Sequence, residues 1–211
     1  MKNKKRSLWI PTAVRRLILK RKTYLKEQGW VETIKRGYPC DAHGKPLPWM
    51  NYAVIHILLE RIQKNHIIFE YGSGYSTLFF SRLAKKVTAI EHDEEWLKKL
   101  KPMLAENVEI KLKELKNNED YEKSLSNSKN HYDIIVIDGR RRLKCMQEAV
   151  ENVNPQCVIL LDDSHRSDYK EAFRIAQEHE FKYLRISGLK PGDGGTCETT
   201  LFYKIENCLG L

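Results

Sequence analysis

The 211-residue chain has no run approaching the roughly 20 consecutive apolar residues that a bilayer span requires. Its start, Met-Lys-Asn-Lys-Lys-Arg, leads into a short mixed segment without the apolar block of a secretory signal. Cysteine is scarce and scattered. Cys40, Cys145, Cys157, Cys197 and Cys208 form no Cys-x-x-Cys pair and leave an odd total, so neither a disulfide framework nor a zinc site is expected. Internal repeats are missing, and compositional bias is confined to the Asn/Ser/Lys-rich stretch 116–130, expected as a polar surface segment. These absences leave a cytoplasmic globular protein as the expectation, with length for one domain (46–211) and an N-terminal extension (1–45).

The net charge of +9 suggests a nucleic-acid partner until it is divided along the chain. Residues 1–36 carry 12 of the 37 Lys and Arg and only two of the 28 acids, so the remainder is close to neutral. Within them Pro11 suits a first helical turn and Gly29 a stop. Such a basic helix either touches RNA phosphates, lies peripherally on an anionic membrane surface, or packs a Val14, Leu17, Ile18 and Leu25 face on the domain; packing is the leading expectation. DNA is not an expected partner.

Residues 37–48 hold three prolines and two glycines and read as a loop. A helix over about 50–63 follows, with Ala53, Val54, Ile57, Leu58 and Ile62 at helical spacing. Apolar runs at 66–70, 87–91, 108–112, 132–138 and 157–162 then alternate with helix-compatible stretches at about 76–85, 93–105, 118–128 and 140–152, the signature of a parallel sheet with crossover helices. A further helix over 167–179 is expected to be capped by Ser167. Strand patterns at 181–187 and 199–205 enclose a connector too rich in glycine for a helix, so they form an antiparallel hairpin. The tip, Pro191 to Thr196, is either a mobile lid or a plain loop.

The first apolar run stops on Glu70 and breaks into Tyr71-Gly72-Ser73-Gly74, where glycine permits both unusual dihedrals and a ligand's close approach. About twenty residues on, Glu91 closes the next run, where a carboxylate meets ribose hydroxyls. A third glycine is lacking; Ser76 and Thr77 stand there, suited to capping the next helix and to contacting a ligand carboxylate.

Glu70-Tyr-Gly-Ser-Gly74 resembles the acid-x-Gly-x-Gly motif of the class I S-adenosylmethionine-dependent methyltransferases. The resemblance implies a Rossmann-like α/β three-layer sandwich: a seven-stranded, mostly parallel sheet with a C-terminal antiparallel hairpin, preceded here by the helical extension. It further implies that Gly72 and Gly74 lie under the methionine part of S-adenosylmethionine, that Glu70 serves its amino group and that Glu91 takes both ribose hydroxyls. His92 or Trp96 then borders the adenine; equally, Asp93 caps a helix and Trp96 is core. From about Pro46 to Tyr203, including Leu-Pro-Trp before the first domain helix and Asp-Gly-Arg after the fourth strand, the chain is similar to small bacterial and archaeal proteins described only as methyltransferases.

The fourth run ends in Asp138-Gly139 and the fifth in Asp162-Asp163-Ser164-His165, so acids and an imidazole converge on one rim. They form either a general base, with Asp138, Asp163 and His165 as candidates, or an oxygen site on Asp138, Asp162 and Asp163 for a divalent metal such as magnesium. The second pattern loosely resembles metal-dependent O-methyltransferases, with Ser164 departing from the amide of the catechol type. Arg140, Arg141 and Arg142 either hold an acidic acceptor or form a solvated helix start. O-methylation of a small-molecule or glycan acceptor is the leading expectation. The alternatives are an RNA methyltransferase, though no Asn/Asp-Pro-Pro-aromatic motif is present, and a non-catalytic cofactor-binding or membrane-associated protein.

Overall fold

The computed structural model describes residues 11–115, 119–128 and 130–211. The basic start of the chain, and residues 116–118 and 129 of the polar segment, lie outside the described residues.

Seven strands form one sheet: β1 (Ile67–Tyr71), β2 (Lys86–Glu91), β3 (Val108–Leu112), β4 (Ile134–Ile137), β5 (Val158–Asp162), β6 (Lys182–Leu189) and β7 (Thr196–Tyr203), in the order β3-β2-β1-β4-β5-β7-β6. The first five run parallel, and β7 is antiparallel to both β5 and β6. Strand order along the sheet reverses between β1 and β4, and the helices that follow them pack on opposite faces, which leaves a crevice beyond the strand ends. Side chains alternate between two core layers. In β4, Ile135 and Ile137 join Phe69, Tyr71 and Met146 on one face, while Ile134 and Val136 join Ile68, Leu58 and Phe80 on the other. Burial on both faces is why the central strands read as unbroken apolar runs.

Nine short to medium helices accompany the strands among the described residues: α1 (Thr12–Val14), α2 (Tyr24–Glu27), α3 (Trp30–Arg36), α4 (Tyr52–Arg61), α5 (Tyr75–Leu83), α6 (Glu94–Leu100), α7 (Ser124–Asn127), α8 (Arg142–Asn152) and α9 (Lys170–Glu178). Asn51 caps α4 by accepting from the Val54 amide, and Asp93 caps α6 by accepting from Trp96. The helix expected over 93–105 stops at Leu100 because Pro102, which has no amide hydrogen, follows in a 3-10 turn. Ser167 caps nothing: it opens a 3-10 turn before α9 and donates to Asp168.

The N-terminal segment departs most from expectation. A π-helical turn over Arg15–Leu19 continues α1, and the chain becomes extended at Lys20. Val14 and Leu17 stay 39% and 52% exposed and Ile18 is half-buried, so the expected packing face is not buried as a unit. Leu25 alone of that set is buried, because it belongs to the separate helix α2, capped by Thr23. From there the chain is tied to the domain. Trp30 donates to the Asp193 carbonyl at 2.7 Å and Trp49 to the Pro191 carbonyl at 2.8 Å. Both partners belong to the hairpin connector, which shortens from the expected 188–198 to 190–195 because β6 and β7 pair as far as Leu189 and Thr196. The tip is therefore pinned by two indoles rather than free. Among the described residues no helix is long and apolar enough to cross a membrane.

Candidate active site at the switch point of the sheet

A cleft of about 340 Å³ opens beyond the C-terminal ends of β1, β2 and β4 and is lined by residues at those ends. Gly72 leaves β1 with φ +96°, a conformation that L side chains rarely adopt, and its amide donates to the Ile90 carbonyl at 2.9 Å. A Cβ there would lie 3.0 Å from both Cα and N of Gly139, so the loops after β1 and β4 touch glycine to glycine. Gly139 is equally committed, since its Cβ would fall 2.1 Å from the Tyr121 hydroxyl. Gly74 differs from the expectation. Its φ of 167° is ordinary extended backbone, and a Cβ would rest 3.6 Å from Trp96.

Glu70, the penultimate residue of β1, is almost wholly buried and receives hydrogen bonds from Ser76 on one oxygen and from Thr77 on the other at 2.5 Å. Thr77 also accepts from the Gly74 amide at 2.9 Å, which closes the turn. The two hydroxyls expected to reach a ligand carboxylate are thus spent on Glu70; Ser76 still lines the cleft, whereas Thr77 is fully buried. Burial pushes the Glu70 carboxyl up to about 8, the Ser76 and Thr77 hydrogen bonds opposing and the nearby Asp138 and Glu91 charges adding to it.

Glu91 is also buried: one oxygen accepts from the His92 and Asp93 amides at 2.7 and 2.9 Å and lies 2.9 Å from the His92 imidazole Nδ1, and the other accepts from the Ser73 hydroxyl at 2.6 Å. Ser73 was not singled out from the sequence, although its place between the two glycines was a usable signal. Trp96 lines the cleft and donates to the Ser73 carbonyl at 2.9 Å, so it also holds the glycine loop. His92 lines the cleft too, edge-on to Tyr121 with ring centroids 6.4 Å apart.

Comparison with known proteins turns on this architecture. No protein-family profile matches the sequence, and no curated protein matches it. Solved structures do. A precorrin-6y methyltransferase from Geobacter metallireducens is 15% identical with a TM-score of 0.54, covering 71% of this chain and 86% of its own. A methyltransferase-like protein from Silicibacter pomeroyi is 21% identical with a TM-score of 0.52, covering 76% and 90%. A ribosomal RNA methylase from Streptococcus thermophilus is 17% identical with a TM-score of 0.51, covering 71% and 93%. The fold is that of the class I S-adenosylmethionine-dependent methyltransferases.

On the other side of the methyltransferase-fold cleft, Arg142 organises the carboxylates. Its Nη2 is 2.8 Å from Asp138 Oδ1, its Nη1 donates to the Asp162 carbonyl at 2.6 Å and lies 3.8 Å from Asp163 Oδ2, and its Nε donates to the Gly139 carbonyl. The residues of the expected metal site are arranged differently from an open oxygen site. The acids at 138, 162 and 163 are joined by a guanidinium, and among the described residues no group of three His, Cys, Asp or Glu side chains is arranged to hold a metal ion. The Asp162 side chain points to β7, accepting from Thr199 at 2.6 Å. Asp163, at φ +53°, pairs also with Arg166. Burial pushes the Asp138 and Asp162 carboxyls up, with Arg142 opposing.

His165 is exposed on the turn after β5 and does not line the cleft, so the imidazole is not brought to the other candidates. The three consecutive arginines separate. Arg140 is exposed at the cleft, Arg141 reaches Glu122 at 3.0 Å, and Arg142 turns inward. A simple solvated helix start does not describe them.

Proposed function

We propose that this protein is an S-adenosylmethionine-dependent methyltransferase acting on a hydroxyl of a small-molecule or glycan acceptor. The observation that carries the reading is the pair of buried carboxylates, Glu70 and Glu91, near the ends of adjacent strands beside a glycine turn, met there by hydroxyls, main-chain amides and the His92 imidazole and, among the described residues, by no lysine or arginine. With no lysine or arginine paired to it, such a site leaves both carboxylates open to an incoming cation, which draws out the charge that burial suppresses on Glu70. It favours a cationic amine and a ribose diol and disfavours a pyrophosphate. Glu91 then takes the ribose hydroxyls, with Ser73 sharing the carboxylate; Glu70 serves the amine; His92 and Trp96 flank the adenine. The contact between Gly72 and Gly139 holds the floor of the cleft in place for them.

When bound, the cofactor supplies a methyl group on a sulfonium that is already electrophilic. The protein's own contribution is then alignment of the acceptor and removal of its proton. Asp138 is the group placed for that removal. Its side chain ends β4 at the cleft, one quarter exposed, with Arg142 fixing its orientation. Asp163 acts at one remove, by sharing Arg142. His165 has no part in this reading.

Calorimetric titration with S-adenosylhomocysteine tests it. Glu91→Ala should weaken binding by about 10- to 100-fold, the equivalent of losing hydrogen bonds to a charged group. An unchanged affinity in a variant that melts normally would rule the cofactor assignment out.

A further inference from the structure

We propose that Arg140, at the N-terminus of α8, is an anion-recognising subsite for the methyl acceptor, whose reactive hydroxyl therefore belongs to a molecule carrying a carboxylate or phosphate. The inference rests on the methyltransferase reading and names the substrate class of that same cleft.

Charge is segregated along the cleft. At the cofactor end Glu70, Glu91 and Asp93 line the wall. At the other end the acids are matched by cations, since Arg142 serves Asp138 and Asp163 while Arg166 takes the remaining side of Asp163. Arg141 is committed to Glu122. Arg140 is left over. It is exposed and lines the cleft, and among the described residues its guanidinium makes no hydrogen bond or ion pair, while its amide faces the Tyr121 hydroxyl at 3.3 Å.

Backbone geometry explains why neighbouring arginines diverge. Arg141 takes a left-handed conformation, φ +49°, at the N-cap of α8, and the turn sends Arg142 into the core while Arg140 stays at the mouth. No side chain caps this eleven-residue helix, so its first amides add a partial positive charge beside the guanidinium. A planar guanidinium beside an uncapped helix start matches the geometry of a carboxylate or phosphate group. The cofactor's own carboxylate is the competing anion, and the experiment separates the two.

The protein is saturated with S-adenosylhomocysteine and titrated at constant ionic strength with inorganic phosphate and, separately, with acetate, following the arginine Nε–H resonances by NMR. At least one probe should bind and shift Arg140, and the two arms tell phosphate from carboxylate. Arg140→Gln should weaken that probe about tenfold or more, with Arg140→Lys intermediate, while S-adenosylhomocysteine affinity stays within about twofold. Equal probe affinity in Arg140→Gln, or no binding of either probe to the wild type, would overturn the proposal. So would a loss of S-adenosylhomocysteine affinity in Arg140→Gln, which would assign the guanidinium to the cofactor. If the wild type fails to bind S-adenosylhomocysteine at all, the methyltransferase reading itself fails, and this is seen before any probe is added.

Discussion

At the β1–β2 side of the cleft Glu70 and Glu91 are held by hydroxyls and main-chain amides, whereas at the β4–β5 side Asp138 and Asp163 are held by the guanidinium of Arg142. Both arrangements satisfy buried carboxylates, with different consequences. Where no lysine or arginine is paired, an incoming cation can draw out the negative charge that burial suppresses on Glu70. A guanidinium offsets that charge, so the same residue type is less open to a cationic ligand. Acids at the ends of parallel strands thus converge in both halves, and the nearest donor decides what they can bind.

The largest expected effect comes from removing the guanidinium. Arg142→Met leaves Asp138 and Asp163 close together without their buried partner and should cost about 3–5 kcal/mol in denaturant unfolding near neutral pH. A loss below about 1 kcal/mol would mean that Arg142 is not what reconciles these acids.

Next comes the glycine pair at the other half. Gly72→Val meets both a positive φ and the Gly139 backbone at 3.0 Å, so it should abolish measurable S-adenosylhomocysteine binding and lower stability by about 1–3 kcal/mol. Gly74→Ala, with ordinary space around its Cβ, should stay near wild type. Equal behaviour of the two variants would erase the distinction between the glycines.

The smallest effect is a matter of protons. The Glu70 carboxyl sits near 8 in the fold against an ordinary 4.5, so the folded state holds a proton that the unfolded chain releases. Its contribution to stability is complete below about 4.5 and is lost as the pH rises through about 8. Thermal melts should therefore show Glu70→Gln gaining on the wild type as the pH rises through that window. A parallel pH dependence would contradict it. By the same sign, a bound amine that restores the carboxylate should release a proton at neutral pH. Binding enthalpies measured in buffers of different ionisation enthalpy would register that release.

Much of the scaffold was legible because its signals are local. The five parallel strands, the antiparallel pair and the acids ending β1, β2, β4 and β5 follow from apolar runs and their boundaries. Asp93 as a cap was equally readable, since a cap and its helix lie within four residues. The errors have a common cause. The packing of Val14 and Leu17 required one continuous helix through Leu25, but the chain extends at Lys20. A free hairpin tip was conceivable only without Trp30 and Trp49, which are more than 140 positions distant. Arg142 looked like one of three equivalent arginines until the left-handed turn at Arg141 separated it from Arg140.

By itself the sequence determined that carboxylates gather at one edge of a parallel sheet, because strands of one direction that end in acids deliver them to the same side. It also determined that Gly72 begins the turn after β1. Tertiary structure alone decided which donors meet those carboxylates: hydroxyls and amides for Glu70 and Glu91, a guanidinium for Asp138 and Asp163. The physical reason is that strand and helix periodicity is written in neighbouring residues, whereas the partner of a buried charge is set by whichever side chain the folded backbone brings within about 3 Å.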